Sequence, residues 1–183
     1  LFARSQFNLR VATNTIVGLC LFSMKSTKVL LKQAEASQPY VGYVREQLDL
    51  VGVRVRKWIP WDPDSCRYEA FRETRQVLLP IPIDSWSFMV CLHEIGHISM
   101  GERVFSYLDE YVAEQWAIKR AKQAYGIVDL DYEKDARRYV WMHIIQNRLF
   151  YNLQTNKIKP YVLDWIEATP QQVDLDVKVF HAL

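Results

Sequence analysis

Residues 93–97 read His-Glu-Ile-Gly-His, directly behind the apolar residues Phe88, Met89, Val90 and Leu92. No other feature of the chain restricts its fold as much. In a helix, positions i and i+4 share a face one turn apart, so His93 and His97 lie side by side. The apolar residues before them place that helix in the interior. Two imidazoles and a carboxylate are costly to bury without partners, and one metal ion would satisfy all three. The fold must therefore bury a helix whose polar face is closed by something else in the chain. Asp84 or Ser85 offers an N-cap, and Gly101 offers a stop after about Met100.

The remaining elements follow from periodicity and punctuation. Gln38 to Gly42 breaks the chain, and Tyr43 to Leu50 can form a short helix. Val51, Val53 and Val55 alternate with Gly52, Arg54 and Arg56, which predicts a strand. Pro60 to Ser65 is a turn, Cys66–Phe71 a second strand, and Gln76–Leu79 a third, stopped by Pro80 and Pro82. The two prolines favour an edge position for that strand. Helices are predicted from Glu102 to Tyr125, from Asp129 or Asp131 to about Gln154, and from Tyr161 to Ala168. The alternation of Val173, Leu175, Val177 and Val179 suggests a strand or a docking arm. Short strands followed by a run of helices make an α+β protein.

The His93/His97 spacing suits zinc, and zinc hydrolase sites take three protein ligands and keep a fourth position open. Glu94 stands about 100° around the helix, outside the ligand set, where it can take a proton from a water activated by the metal and pass it to a leaving amine. The next helix supplies Glu110 and Glu114, again four apart, with the small residues Ala117 and Ala121 continuing their stripe. Glu110 is the expected third ligand, with Asp109 and then His143 as rivals. Glu114 is placed to hold the far nitrogen of a ligand histidine. A solvated helix face beside Lys119 and Arg120 is the plainer reading of the two glutamates. Stabilisation of a developing oxyanion falls to Tyr107, Tyr111, Tyr139 or His143, although a histidine in the apolar stretch around His143 is ordinarily core.

His93-Glu94-x-x-His97 followed by Glu110-x-x-Ala113-Glu114 resembles the gluzincin branch of the zinc metallopeptidases. The run Glu110-x-x-Ala113-Glu114-x-Trp116-Ala117 is also similar to small zincin-like peptidases of phage and bacterial regulatory type. The resemblance spans roughly residues 51–125. It is not the metzincin pattern, because Met100 and Arg103 stand where that pattern has glycine and a third histidine. Only 12 residues separate His97 from Glu110, fewer than in large gluzincins, and Gly101 permits the tight turn this needs. The resemblance implies a minimal zincin-like fold: a small three-stranded sheet, a preceding helix and two metal-bearing helices. It also implies peptide-bond hydrolysis, with an extended substrate pairing along an edge strand, here Val77–Leu79.

Composition narrows the alternatives. The chain has 183 residues, 50% hydrophobic, enough for one domain with its own core. Its 23 basic residues nearly balance 21 acidic ones, so overall charge does not ask for a nucleic acid or a membrane surface. No apolar run reaches the roughly 20 residues of a membrane span. Most of the aromatic residues, Trp116 and Trp141 included, sit at core spacing. Three scattered cysteines, Cys20, Cys66 and Cys91, make no disulfide framework and fit a reducing, cytoplasmic setting. Residues 1–34 carry five basic residues and no acid, leaving 18 basic residues against all 21 acids in the body, residues 35–183. This basic arm contains the apolar run Thr15–Phe22, which has the make-up of a short targeting segment, and Met24, which offers an internal start. Two further functions fit the same motif: a non-catalytic module stapled by zinc for binding or assembly, and hydrolysis of a non-peptide amide.

Overall fold

The computed structural model describes residues 29, 31, 32, 34, 35, 39–63, 67–101, 106–126 and 130–181. The apolar run at 15–22, Met24, Cys20, Cys66 and most of the basic arm lie outside the described residues. Helix α1 (Tyr40–Val51) leads into strand β1 (Arg54–Ile59), followed by β2 (Glu69–Phe71) and β3 (Gln76–Pro80). Five helices complete the order: α2 (Ser85–Ser99), α3 (Ser106–Tyr125), α4 (Leu130–Phe150), α5 (Pro160–Trp165) and α6 (Pro170–His181). A short 3-10 turn, Thr155–Lys157, precedes α5. Strands and helices are segregated along the chain, the α+β class expected from the sequence.

Three local expectations need correction. Val51 ends α1 rather than opening β1: Gly52 adopts φ 70°, and the Val53 N–H closes the helix on the Leu48 carbonyl at 2.9 Å. The third strand is central, not an edge, because the sheet order is β1-β3-β2, with β1 parallel and β2 antiparallel to β3. Pro80 is tolerated there because β2 reaches only as far as Leu78, so nothing on that side asks Pro80 for a donor. The tail is helix α6, neither strand nor arm. Val173 and Val177, four apart, are buried, while the alternating partners Leu175 and Val179 are more than half exposed.

The helix carrying the histidines starts at a capping box. Asp84 Oδ1 accepts the Ser87 N–H at 2.7 Å, and Ser87 Oγ accepts the Asp84 N–H at 3.0 Å. The chain leaves α2 through Gly101 at φ 70°, the left-handed turn anticipated for it.

Among the described residues, two large cores and one small cluster are buried. The first packs α1, the sheet, α2 and α3 around Val44, Leu79, Phe88, Leu92 and Ile95, and takes in Tyr132 and Ala136 from the start of α4. The second joins Tyr107 of α3 to Val140, Ile144 and Ile145 of α4 and to Val162 and Val173 beyond. Helix α4 therefore runs through both. Ahead of α1, Ala34 is buried with Val41 and Ile81. Among the described residues no helix is long and apolar enough to cross a membrane.

Candidate metal centre

Helices α2 and α3 pack closely because small residues face each other. A Cβ added to Gly96 would lie 3.0 Å from the Ala113 carbonyl oxygen and 3.2 Å from its Cα. This approach brings Glu110 onto the two histidines. His93 Nε2 and His97 Nε2 are 3.0 Å apart, and Glu110 Oε2 lies 3.2 and 3.3 Å from them. All three side chains are nearly buried, at 11–13% exposure. Glu110 Oε2 makes no hydrogen bond of good geometry despite these short distances. Three potential ligand atoms thus converge close enough together to hold one metal ion.

The spacing agrees with that reading. Zinc–ligand bonds of about 2.0–2.1 Å in a tetrahedron put ligand atoms about 3.3 Å apart. The three observed separations outline one face of such a tetrahedron. His93, His97 and Glu110 are the group of potential ligands within reach of one ion among the described residues. Both rivals of Glu110 are accounted for elsewhere. Asp109 pairs with Arg72 at 2.9 Å, and His143 lies outside the cluster with its Nδ1 3.2 Å from Ser106 Oγ.

The surroundings fix the ligands in place. Glu114 Oε1 lies 3.2 Å from His93 Nδ1, as its position one turn beyond Glu110 suggested. Glu114 Oε2 accepts the Tyr132 hydroxyl at 2.7 Å, and the Tyr132 ring rests edge-on against Trp86. Arg72, in the turn between β2 and β3, donates from Nε to the His97 carbonyl at 2.8 Å and holds Nη2 3.2 Å from His97 Nδ1. Sequence reasoning found neither Tyr132 nor Arg72. Tyr132 reads as one more apolar position at helical spacing, and Arg72 sits in a turn of charged residues.

Charge and burial act in opposition here. Burial alone would push the His93 pKa down. Glu114, and the contacts with both Glu110 and Glu114, outweigh it and hold His93 well above its ordinary range. Burial pushes Glu110 up, but the two histidines hold it well below the usual carboxylate range. Glu94, 9% exposed, is raised chiefly by burial, with His93 and His97 opposing and Glu110 and Glu69 adding to the rise.

The four candidates for the oxyanion divide into two pairs. Tyr107 is 1% exposed in the second core, where its hydroxyl oxygen accepts the Lys159 N–H at 3.4 Å. Tyr111 packs its ring against Tyr161 and Trp165. Tyr139 and His143 lie on the site's side of α4. The Tyr139 ring is 6.1 Å from that of His93 and 4.8 Å from that of His143.

Two helices thus bring together a His-His-Glu group of potential ligands, with an acid beside it. The sequence matches no protein-family model, and no curated protein or solved structure matches it significantly.

Proposed function

We propose that this chain is a zinc-dependent metallopeptidase in which Glu94 is the general base. The observation that carries the reading is the ligand cluster itself: three convergent protein ligands, with Glu94 buried within the field of all three. A structural zinc site is ordinarily closed by four protein ligands, whereas a hydrolytic one keeps a position for water or substrate. Zinc held by His93, His97 and Glu110 would supply Lewis acidity, lowering the pKa of a water and polarising a carbonyl. Glu94 accepts the proton of the attacking water on its carboxylate and returns it to the leaving amine nitrogen. Its raised pKa suits a group that must both take and give a proton near neutrality.

An extended peptide has an edge to pair with at β2 rather than at Val77–Leu79. Strand β2 is the sheet edge that packs against α2, and Glu69 on it is close enough for its charge to act on Glu94. Main-chain hydrogen bonds along that edge would present the scissile carbonyl without demanding particular side chains.

The test is metal content together with peptide hydrolysis. The purified chain should hold about one zinc, lost in His93→Ala. Glu94→Gln should keep the zinc while hydrolysis falls by about 10²–10⁴-fold, the usual worth of a general base. A zinc-bound Glu94→Gln protein with undiminished biological activity would instead identify a zinc-stapled binding module. Turnover of small amides but not of peptides would point to a non-peptide amidase.

A further inference from the structure

A groove opens on the far side of α4 from the metal cluster. Helical spacing puts Arg137 and Trp141 opposite Tyr139, whose ring neighbours His93. There α4, the α5–α6 connection and α6 enclose about 590 Å³, a volume typical of ligand-binding clefts. The apolar part of the lining is Trp141, Ile166 and Ala168, all packed against the second core. The wall facing α4 is held in place. Arg137 Nη1 pairs with Glu167 Oε1, and the Arg137 guanidinium lies 5.9 Å from the centre of the Trp165 ring. Glu167 sits at φ 58°, a left-handed conformation that a non-glycine residue keeps only where its surroundings hold it. The Ala168 N–H, bonded to the Leu163 carbonyl at 3.0 Å, closes the same turn.

The charges along this groove are unevenly satisfied. Each of its acids already has a partner. Glu133 pairs with Lys122 at 2.8 Å, Glu167 pairs with Arg137, and Asp176 Oδ1 accepts Gln172 Nε2 at 2.9 Å. Lys134 and Arg138, both exposed and four apart on α4, pair with no acid among the described residues. Arg137 Nε, between them in sequence, is buried without a hydrogen-bond partner. Donors without acceptors therefore collect on the α4 wall, beside an apolar surface.

We propose that this groove binds an acidic peptide segment, with carboxylates on Lys134 and Arg138 and an apolar side chain against Trp141, Ile166 and Ala168. Alternate residues of an extended chain are about 6.6 Å apart. That is near the rise of about 6 Å between Lys134 and Arg138 along their helix. Carboxylates at i and i+2 can thus meet both cations at once. On α6, Leu175 and Val179 follow three positions after Gln172 and Asp176 and are more than half exposed, so the apolar surface continues past the groove. A small anion would leave that surface bare. A nucleic-acid strand fits poorly, because its unbroken line of phosphates would run against Glu133, Glu167 and Asp176. The chain's own basic arm has the wrong sign, since residues 1–34 carry five basic residues and no acid. The groove stands apart from the peptidase reading and survives its failure.

The test titrates the full chain with a fluorescein-labelled peptide of alternating glutamate and leucine, blocked at both ends. Anisotropy should rise to saturation, and the Trp141 indole N–H resonance, assigned by its loss in Trp141→Phe, should shift. Lys134→Gln combined with Arg138→Gln should weaken binding about tenfold, the worth of two exposed ion pairs. The Tm of that variant should not change, because both side chains are exposed. A peptide with glutamine in place of glutamate should bind about tenfold more weakly to the unaltered chain, and Asp176→Asn should tighten the acidic peptide about twofold. The proposal is overturned if the acidic peptide does not bind, if the glutamine peptide binds equally well, or if the double variant binds as the unaltered chain does. Displacement of the peptide by an equal concentration of inorganic phosphate would reduce the groove to a simple anion site and overturn it too. Tighter binding of an oligonucleotide through the same two cations would overturn the peptide as occupant. A dimer seen in sedimentation equilibrium and lost in the double variant would assign the groove to a second copy of the chain instead.

Discussion

His93 touches both glutamates of α3: Glu110 at its Nε2 and Glu114 at its Nδ1. Without metal these carboxylates keep it protonated above its ordinary range. The sign of the consequence follows. The stabilisation from that imidazolium is complete below the ordinary histidine pKa and is lost as pH rises through the raised one. Zinc needs the same Nε2 lone pair, so at neutral pH it must displace the proton. Calorimetry in buffers of different ionisation heat should find about one proton released per zinc, with affinity falling about tenfold per pH unit towards acid. Uptake with no proton release would contradict the assignment of His93 as a ligand. One bond further out, Tyr132→Phe removes the hydroxyl that holds Glu114 at 2.7 Å. Outer partners of this kind are worth about 10–100-fold in metal affinity. A competition titration against a chelator should register that loss, with the helix content of the variant unchanged.

At the scale of elements, the centre is a property of the α2–α3 contact. Glu110 reaches the histidines because Gly96 lets the two helices meet at the Ala113 backbone. In Gly96→Ala the added methyl would meet main-chain atoms at 3.0 and 3.2 Å, which cannot rotate away. Alanine gains about 1 kcal/mol in helix propensity over glycine, while overpacking a tight contact costs about 1–3 kcal/mol. The clash wins: we expect a net loss of about 1 kcal/mol in denaturant unfolding and weaker zinc binding, because α3 carries Glu110 away as it yields. The sheet contributes through Arg72, whose three contacts tie the β2–β3 turn to the end of α2 and to Asp109 on α3. Much of this level was legible beforehand. The N-cap at Asp84, the stop at Gly101 and the i, i+4 pairs are local, and local rules suffice for them. The central place of β3 and the helical tail were not, since both depend on which neighbours cover a residue. Alternation at Val173–Val179 satisfies a strand and a helix equally until Val162 and Ile144 supply a surface that takes only Val173 and Val177.

Across the whole molecule, the first core holds both metal helices and the sheet, while α4 carries Tyr139 and His143 past the site on its way into the second core. An ion held by α2 and α3 would therefore add a further tie to elements joined by packing and by the Arg72 contacts. A ligand present at about a thousand times its dissociation constant adds about 4 kcal/mol to stability, which for a chain of this size raises Tm by about 8–16 °C. Thermal unfolding with and without zinc should show that rise, and a chelator should reverse it. No zinc-dependent shift would argue that the cluster holds no metal.

The sequence by itself determined that His93, Glu94 and His97 stand together on one buried helix, because helix geometry follows from spacing. It also determined Glu110 and Glu114 as a pair on one face of the next helix. Only the tertiary structure decided that Glu110, rather than Asp109 or His143, meets the histidines. That choice depends on the approach at Gly96 and on Arg72 engaging Asp109. The tertiary structure alone likewise packed Tyr107 and Tyr111 into the second core and joined Ser106 to His143 and Asn147. Contacts between residues about 40 positions apart leave no period in the sequence, whereas contacts within a helical turn do.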